Sequence, residues 1–145
     1  MIVITDSNII FSYLINPNGT IAEILKGKNN IQLLTTEYLL DEVENHIEKI
    51  ESFSPFTKTE LKKELSFLKE RIKIYDVVDI PKKYVAKAES ILIDIDIDDK
   101  YFVALYFYTK HKIWTGDRVL INGLKKKGYN ICITTTELKK SLYKK

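Results

Sequence analysis

Short apolar runs alternate along the chain with longer segments in which apolar residues recur every three or four positions. The runs are typical of buried strands, and the longer segments are typical of amphipathic helices. The predicted strands are Ile2 to Ile4, Ile31 to Thr35, Ile74 to Val78, Lys112 to Thr115 and Ile131 to Ile133. This alternation predicts a three-layer α/β/α fold with a mostly parallel central sheet of Rossmann-like topology, as one domain over residues 1–145.

Capping residues and breaks separate the predicted helices. Thr20 is expected to cap the second helix, Ser52 to Phe56 reads as a turn, and Pro81 opens a later helix. The helical apolar stripes span Ile9–Leu14, Ile21–Leu25, Leu39–Ile50, Leu61–Ile72, Tyr84–Leu92 and Val103–Phe107, with a basic helix up to Lys127 and a last helix capped by Thr134 to Thr136. The stretch Ile91 to Asp99 alternates Ile and Asp like a strand, but its flanks are helical, so we interpret it as a helix end and a loop.

Composition narrows the class of protein. Hydrophobic residues make up 45% and charged residues 30% of the 145 residues, as in ordinary globular proteins. No apolar run approaches the ~20 residues of a membrane span, and the N-terminus lacks the layout of a signal peptide. We therefore expect a cytoplasmic protein without a membrane partner. The single cysteine, Cys132, lies in a predicted strand and is expected to be a buried core residue.

Charge is distributed unevenly along the chain. The net charge is +3, but residues 110–145 carry ten Lys or Arg against two Asp or Glu. A basic segment of this kind fits a polyanion such as nucleic acid, because Lys and Arg neutralise phosphates. Solvated Lys-rich helices give the same pattern, so charge alone leaves both interpretations open.

Carboxylates recur in one local context, after an apolar strand and at or just inside the next helix. They are Asp6, Glu42, the pair Asp98 and Asp99, and Asp117. Each alone is explained by helix capping, although Glu42 lies too far inside its helix for that. In a parallel sheet, however, the carboxyl ends of the strands share one edge, so these acids should converge.

Converging carboxylates repel one another unless a cation lies between them. Oxygen ligands without His or Cys favour Mg²⁺ or Mn²⁺, which supports the chemistry of metal-dependent nucleases. His46 and His111 are expected on the solvated surface, and Trp114 is expected in the core.

Four segments in this order resemble the motifs of the PIN domain family, which includes VapC-like toxin ribonucleases and RNA-processing nucleases. The segments are Ile4-Thr5-Asp6-Ser7-Asn8, Thr36 to Val43, Asp98 to Leu105, and Trp114 to Leu120. The second motif places its acid six residues after a Thr, at Glu42 rather than Asp41. The resemblance covers nearly the whole chain, and the helix Leu61–Ile72 resembles a PIN subgroup with a longer second helical hairpin.

The third motif leaves its acid open among Asp96, Asp98 and Asp99. Asp99 matches best by its distance from Ala104, and Asp96 resembles an extra acid seen just upstream. The helix that follows carries Tyr106-Phe107-Tyr108 where the family usually has small residues.

The resemblance implies a divalent-metal-dependent endoribonuclease that cuts single-stranded RNA and leaves a 5′-phosphate. Asp6, Asp99 and Asp117 would bind Mg²⁺ or Mn²⁺, and Glu42 would complete the catalytic acids. It also implies supporting residues around the acids and positive residues that grip RNA. The supporting set is Ser7, Asn8, Asp96, Asp98 and Thr115, and the RNA-binding set is Lys100 and Arg118. An antitoxin partner and a homodimer are further expectations from the resemblance.

Two other functions compete with this prediction. Phosphoryl-transfer and receiver-type α/β domains also use an Asp at a strand end, but the former usually show Asp-x-Asp, and here the second residue after Asp6 is Asn8. A catalytically inactive PIN module that binds RNA or a protein would keep the fold and lose the acids. All four acidic positions are kept, which favours catalysis.

Overall fold

The computed structural model describes residues 1–143, and five parallel strands form one sheet at their centre. The strands are β1 (Ile2–Thr5), β2 (Gln32–Thr36), β3 (Ile72–Tyr75), β4 (Ile113–Trp114) and β5 (Cys132–Ile133). Their order in the sheet is β3-β2-β1-β4-β5, and every neighbouring pair is parallel. The predicted three-layer α/β/α class with a parallel sheet is therefore confirmed.

Nine α-helices of the described residues cover the two faces of the sheet. They are α1 (Ser7–Ile15), α2 (Thr20–Lys26), α3 (Glu37–Asn45), α4 (Ile47–Phe53), α5 (Lys58–Arg71), α6 (Lys82–Leu92), α7 (Lys100–Thr109), α8 (Arg118–Lys126) and α9 (Thr135–Leu142). Right-handed crossovers with this strand order place α1 to α5 on one face and α6 to α8 on the other. Within residues 1–143, none of the helices combines the length and the apolar character needed to cross a bilayer.

Two helix predictions were wrong at their boundaries. The stripe Leu39–Ile50 is not one helix, because the backbone leaves helical geometry at His46 (φ −109°, ψ 16°). Helix α4 begins after His46 and extends two residues into the predicted turn, through Phe53. Ile72 continues the spacing of the α5 stripe but begins β3, where it pairs with Leu33 of β2. Strand β3 ends at Tyr75, three residues before the end of the predicted strand Ile74 to Val78. Residues Val77–Asp79 form a 3-10 turn instead.

The caps and the core follow the sequence more closely. Thr134 caps α9 in a reciprocal capping box with Glu137, as predicted, whereas Thr20 starts α2 without a capping hydrogen bond from its side chain. Trp114 is fully buried, and its Nε1 donates to Thr135 Oγ1 at 3.0 Å. Cys132 is buried as predicted, and burial raises the pKa of its thiol to about 12.

A buried tyrosine joins three helices through a carboxylate. The hydroxyl of Tyr13 on α1 donates to Glu64 on α5, and Lys26 on α2 donates to the other oxygen of Glu64 at 3.2 Å. The same Lys26 ammonium lies 5.4 Å from the centre of the Tyr13 ring. Burial and the neighbouring Glu64 raise the pKa of Tyr13 to about 12, so this hydroxyl stays protonated and keeps donating.

Helix α8 touches the loop after α6 at a glycine. A Cβ on Gly123 would lie 2.9 Å from the Cδ1 of Ile95, closer than two carbon atoms pack, so the absence of a side chain permits this contact. A second contact with α8 follows at its C-terminal end. Lys127 Nζ donates to the carbonyl of Ile91, near the end of α6, at 2.6 Å and pairs with Asp94 of the loop. The loop between α6 and α7 is thus fastened to α8.

Candidate active site

The strand order reverses between β1 and β4, and the acids gather at that point. Asp6 follows β1 directly, and its backbone N–H donates to the Trp114 carbonyl of β4 at 3.2 Å. Thr115 and Asp117 follow β4 on the other side of the crevice. In open parallel sheets, ligands bind outside the carboxyl ends of the strands at such a reversal. The fold therefore delivers these side chains to the position where a site is expected.

A polar network fixes Asp6. Thr115 Oγ1 donates to Asp6 Oδ2 at 2.6 Å, and Ser7 Oγ donates to the other oxygen at 3.3 Å. Asn8 Nδ2 donates to Thr115 Oγ1 at 3.2 Å, and Asn8 Oδ1 accepts from the Gly116 N–H at 3.3 Å. Asp6 is only 2% exposed, and this burial raises the pKa of its carboxyl against the lowering effect of these hydrogen bonds. Ser7, Asn8 and Thr115 hold the carboxylate in place.

Three further acids form the tightest cluster. Asp96, Asp99 and Asp117 each offer one carboxylate oxygen, and these oxygens all lie within 4.8 Å of one another. Asp117 caps α8, because its Oδ1 accepts from the N–H groups of Val119 at 3.0 Å and Leu120 at 3.3 Å. Asp6 is not one of the three, and its two oxygens accept hydrogen bonds from Thr115 and Ser7.

Among the acids of the site, Asp99 has the least favourable surroundings for a charged carboxylate. It is 8% exposed, and its buried Oδ2 accepts no hydrogen bond from any group of residues 1–143. Burial, followed by the negative charges of Asp6 and Asp96, raises the pKa of Asp99 to about 8. A buried oxygen without a donor is costly unless something positive contacts it.

The donor set fits a hard divalent cation. The three clustered groups offer only carboxylate oxygens, which Mg²⁺ and Mn²⁺ prefer. Neither the cysteine nor His111 lines this pocket, and His46, which does, is not one of the three. A cation would compensate the repulsion that raises the pKa of Asp99 and would contact its unsatisfied oxygen. The residues present thus fit the metal predicted from the sequence.

Helix α3 and His46, the residue that directly follows it, line one wall of the pocket, which we call the α3 wall. Tyr38, Glu42 and His46 follow one another at intervals of four residues and line a cavity of about 340 Å³ together with the acids. Burial and the charges of Asp6 and Asp98 raise the pKa of Glu42, while hydrogen bonds from Tyr38 and Ser7 lower it. Burial and Glu42 together raise the pKa of Tyr38 to about 12.

The structure places the other predicted residues around this pocket. Asp98 lines it, and its N–H donates to Asp96 Oδ1 at 3.0 Å. Lys100 begins α7 and pairs with Glu89 at 3.2 Å, and Arg118 is exposed at the start of α8. Sequence reasoning missed Tyr38 and regarded His46 only as surface. Their four-residue spacing from Glu42 was the available signal.

Fold and site together define a class, namely parallel three-layer α/β proteins with a carboxylate-lined pocket where the strand order reverses. A family model described as PIN domain matches residues 4–142. The chain belongs to the PIN domain family.

Among solved structures, the chain is similar to the crystal structure of VapBC2 from Rickettsia felis bound to a DNA fragment from their promoter. The TM-score is 0.64 at 18% sequence identity, and the match covers 92% of this chain and 97% of that chain. At this identity the likeness concerns the fold. No curated protein sequence matches the chain.

Proposed function

We propose that this PIN domain is a divalent-cation-dependent endoribonuclease that hydrolyses phosphodiester bonds of single-stranded RNA. One observation carries the proposal. The buried Oδ2 of Asp99 lacks a donor among the described residues, in a cluster of three carboxylates at the sheet's reversal point. Such stress at a pocket is a mark of functional sites, because burial and like charge are otherwise avoided.

The chain's own residues divide the chemistry among them. Asp96, Asp99 and Asp117 would hold Mg²⁺ or Mn²⁺, with Asp6 beside them as the predicted further ligand. When bound, the cation supplies positive charge that stabilises the phosphate during in-line attack. Thr115 and Ser7 keep Asp6 in one orientation by donating to its two oxygens. Glu42, whose pKa is raised by burial, accepts a proton from the attacking water.

A toxin role is the biological setting that we propose for this activity. The motifs resemble VapC-like toxin ribonucleases, and the fold is similar to that of VapBC2. An antitoxin protein would then be the partner that restrains the nuclease, and the toxin would form a homodimer. Co-expression with the product of a neighbouring reading frame tests this role, since a cognate antitoxin should co-purify with the chain and suppress RNA cleavage.

The substitution Asp6→Asn tests the nuclease itself. The amide keeps an oxygen for Thr115, so the fold is retained while a negative charge is lost. We expect RNA cleavage in Mn²⁺ or Mg²⁺ to fall by at least about a hundredfold, as for the loss of a transition-state interaction worth roughly 3 kcal/mol. The matched control is Asp41→Asn, which removes the same charge from an exposed neighbour of Glu42 outside the pocket and should cut RNA normally.

Undiminished cleavage by Asp6→Asn would disprove the assignment. A thermal-shift measurement separates the nuclease from an inactive PIN module that binds RNA or a protein. Mn²⁺ should raise the melting temperature of the wild-type chain if the acids bind a cation, because a ligand that binds only the folded state stabilises it. A module without a metal site should show no shift.

A further inference from the structure

Two aromatic side chains flank Glu42 on the α3 wall of the pocket. Tyr38 lies one helical turn before Glu42 and His46 one turn after it, and all three line the acidic cavity. At the helical rise, eight residues separate the Cα atoms of Tyr38 and His46 by roughly 12 Å. The acids Asp6, Asp96, Asp99 and Asp117 line the same cavity.

Each ring is supported by a second aromatic from another helix. Tyr38 packs against Tyr101 of α7 with ring centres 5.2 Å apart, and His46 packs edge-on against Phe11 of α1 at 6.3 Å. The Nδ1 of His46 lies 2.8 Å from the Glu42 carbonyl oxygen, which can only accept, so Nδ1–H donates and fixes the imidazole ring. Both rings are therefore positioned before any ligand arrives.

A lysine accompanies each ring pair. Lys100 Nζ lies 5.1 Å from the centre of the Tyr101 ring, and Lys49 lines a groove together with Phe11 and His46. Each of the two rings on the α3 wall thus has a lysine from another helix near its aromatic partner, Lys100 of α7 at one end and Lys49 of α4 at the other. Phosphates that flank the scissile one would meet the lysines, and bases would meet the rings.

We propose that Tyr38 and His46 are stacking platforms for two unpaired nucleobases, one on each side of the phosphodiester that is cut. Aromatic stacking tolerates any base, because every base has a π-face, and it requires the base to be splayed out of a helix. The proposal rests on the nuclease function and deepens it. It predicts that the substrate is single-stranded and that the sequence preference is weak, because an unpaired base of any identity can stack on either ring.

Ring removal and ring retention at the same positions test the stacking directly. In the Asp6→Asn background, fluorescence anisotropy measures the Kd for a fluorescein-labelled oligouridylate. Tyr38→Ala and His46→Ala should each raise the Kd roughly tenfold, the usual cost of one lost base–aromatic stack. Tyr38→Phe and His46→Phe keep a ring and should restore binding to within about twofold of the background.

The control removes an aromatic outside the pocket. Tyr108 is 43% exposed on α7, two turns beyond Tyr101, so Tyr108→Ala should leave the Kd unchanged. A duplex of the same length should bind at least roughly tenfold more weakly than the single strand, and this preference should shrink in Tyr38→Ala. The same series in wild-type protein with EDTA provides a second background without cleavage.

Three results would overturn the proposal. They are an unchanged Kd in both alanine variants, a Kd raised equally by Tyr108→Ala, and rescue at position 46 by glutamine but not by phenylalanine, which would indicate hydrogen bonding instead of stacking. Binding does not need cleavage, so the two proposals fail separately. A chain that binds oligouridylate through these rings without cutting RNA keeps the stacking sites and loses the nuclease assignment.

Discussion

Two carboxylates in this protein, the half-buried Glu64 and the buried Asp99, have opposite surroundings. Glu64, between α1, α2 and α5, accepts hydrogen bonds from Tyr13 and Lys26, so the chain itself supplies a donor and a positive charge. Asp99, at the edge of the sheet, has an oxygen without a donor among residues 1–143 and four negative neighbours that raise its pKa. Glu64 stabilises the fold through contacts within the chain. Asp99 needs a positive charge that residues 1–143 do not supply.

This difference indicates at which of the two carboxylates a bound cation should change the free energy of unfolding. The pair of Glu64 with Lys26 is complete when the chain folds, so added cations should leave its contribution unchanged. At Asp99, folding brings together carboxylates whose repulsion no described residue compensates, so a bound cation should be worth more to stability there than elsewhere.

The largest expected effect is the pH dependence of the metal-free protein. The pKa of Asp99 is raised to about 8 from an ordinary 3.8, so its carboxyl contributes stability that is complete below about pH 4 and is lost as the pH rises towards 8. In this window the free energy of unfolding should fall by up to about 1.4 kcal/mol per pH unit. Urea denaturation in EDTA at several pH values measures the slope.

Two comparisons sharpen this result. Asp99→Asn removes the titrating group, so the metal-free variant should be more stable than the wild type at about pH 8 and should lose most of the slope. Mn²⁺ should flatten the slope of the wild type and have little effect on the variant. If the stability of the wild-type protein in EDTA rises from pH 5 to pH 8, the raised pKa of Asp99 is contradicted.

The next effect is on the paired carboxylate. Glu64→Ala leaves the buried Tyr13 hydroxyl without its acceptor, which should lower the free energy of unfolding by about 1–3 kcal/mol. The melting-temperature shift on adding Mn²⁺ should stay as in the wild type, because Glu64 is outside the acidic pocket. Glu70→Ala, an exposed glutamate on the same helix, is the matched control and should change stability by less than about 0.5 kcal/mol.

The smallest effect should come from Tyr13→Phe, which removes only the donor. Glu64 keeps its ion pair with Lys26, so the cost should be about 1 kcal/mol, the net value of one hydrogen bond. Combined with Glu64→Ala the two losses should not add, since both variants remove the same contact. Strict additivity in denaturation measurements would show that the Tyr13 hydroxyl and Glu64 do not stabilise each other.

The sheet and most of the acidic edge could be predicted from the sequence. Strand β1 is a short apolar run that ends in Asp6, and parallel strands must bring such ends to one edge, so the pattern and the chain's connectivity suffice. The boundary at Ile72 could not be predicted. Its spacing continues the α5 stripe, and only pairing with Leu33 across the sheet shows that it belongs to a strand.

The membership of the acidic cluster was also beyond the sequence. The spacing from Ala104 favours Asp99, and the structure gathers Asp96 and Asp117 around it, while the side chain of Asp6 is held by Thr115. That arrangement depends on which oxygens the neighbouring hydroxyls and N–H groups occupy, which no periodicity reveals. The metal role of Asp6 stays a prediction.

The contact at Gly123 links the acids of the cluster mechanically. Ile95 directly precedes Asp96, and Gly123 lies on the helix that Asp117 caps, so this close contact connects the segments that carry two of the three clustered carboxylates. A methyl group at position 123 would press against Ile95, so Ile95 or α8 would have to move, and the spacing between Asp96 and Asp117 would change with it. In the proposed cation site, such a change would alter the cation radius that fits best without replacing any of the three acids.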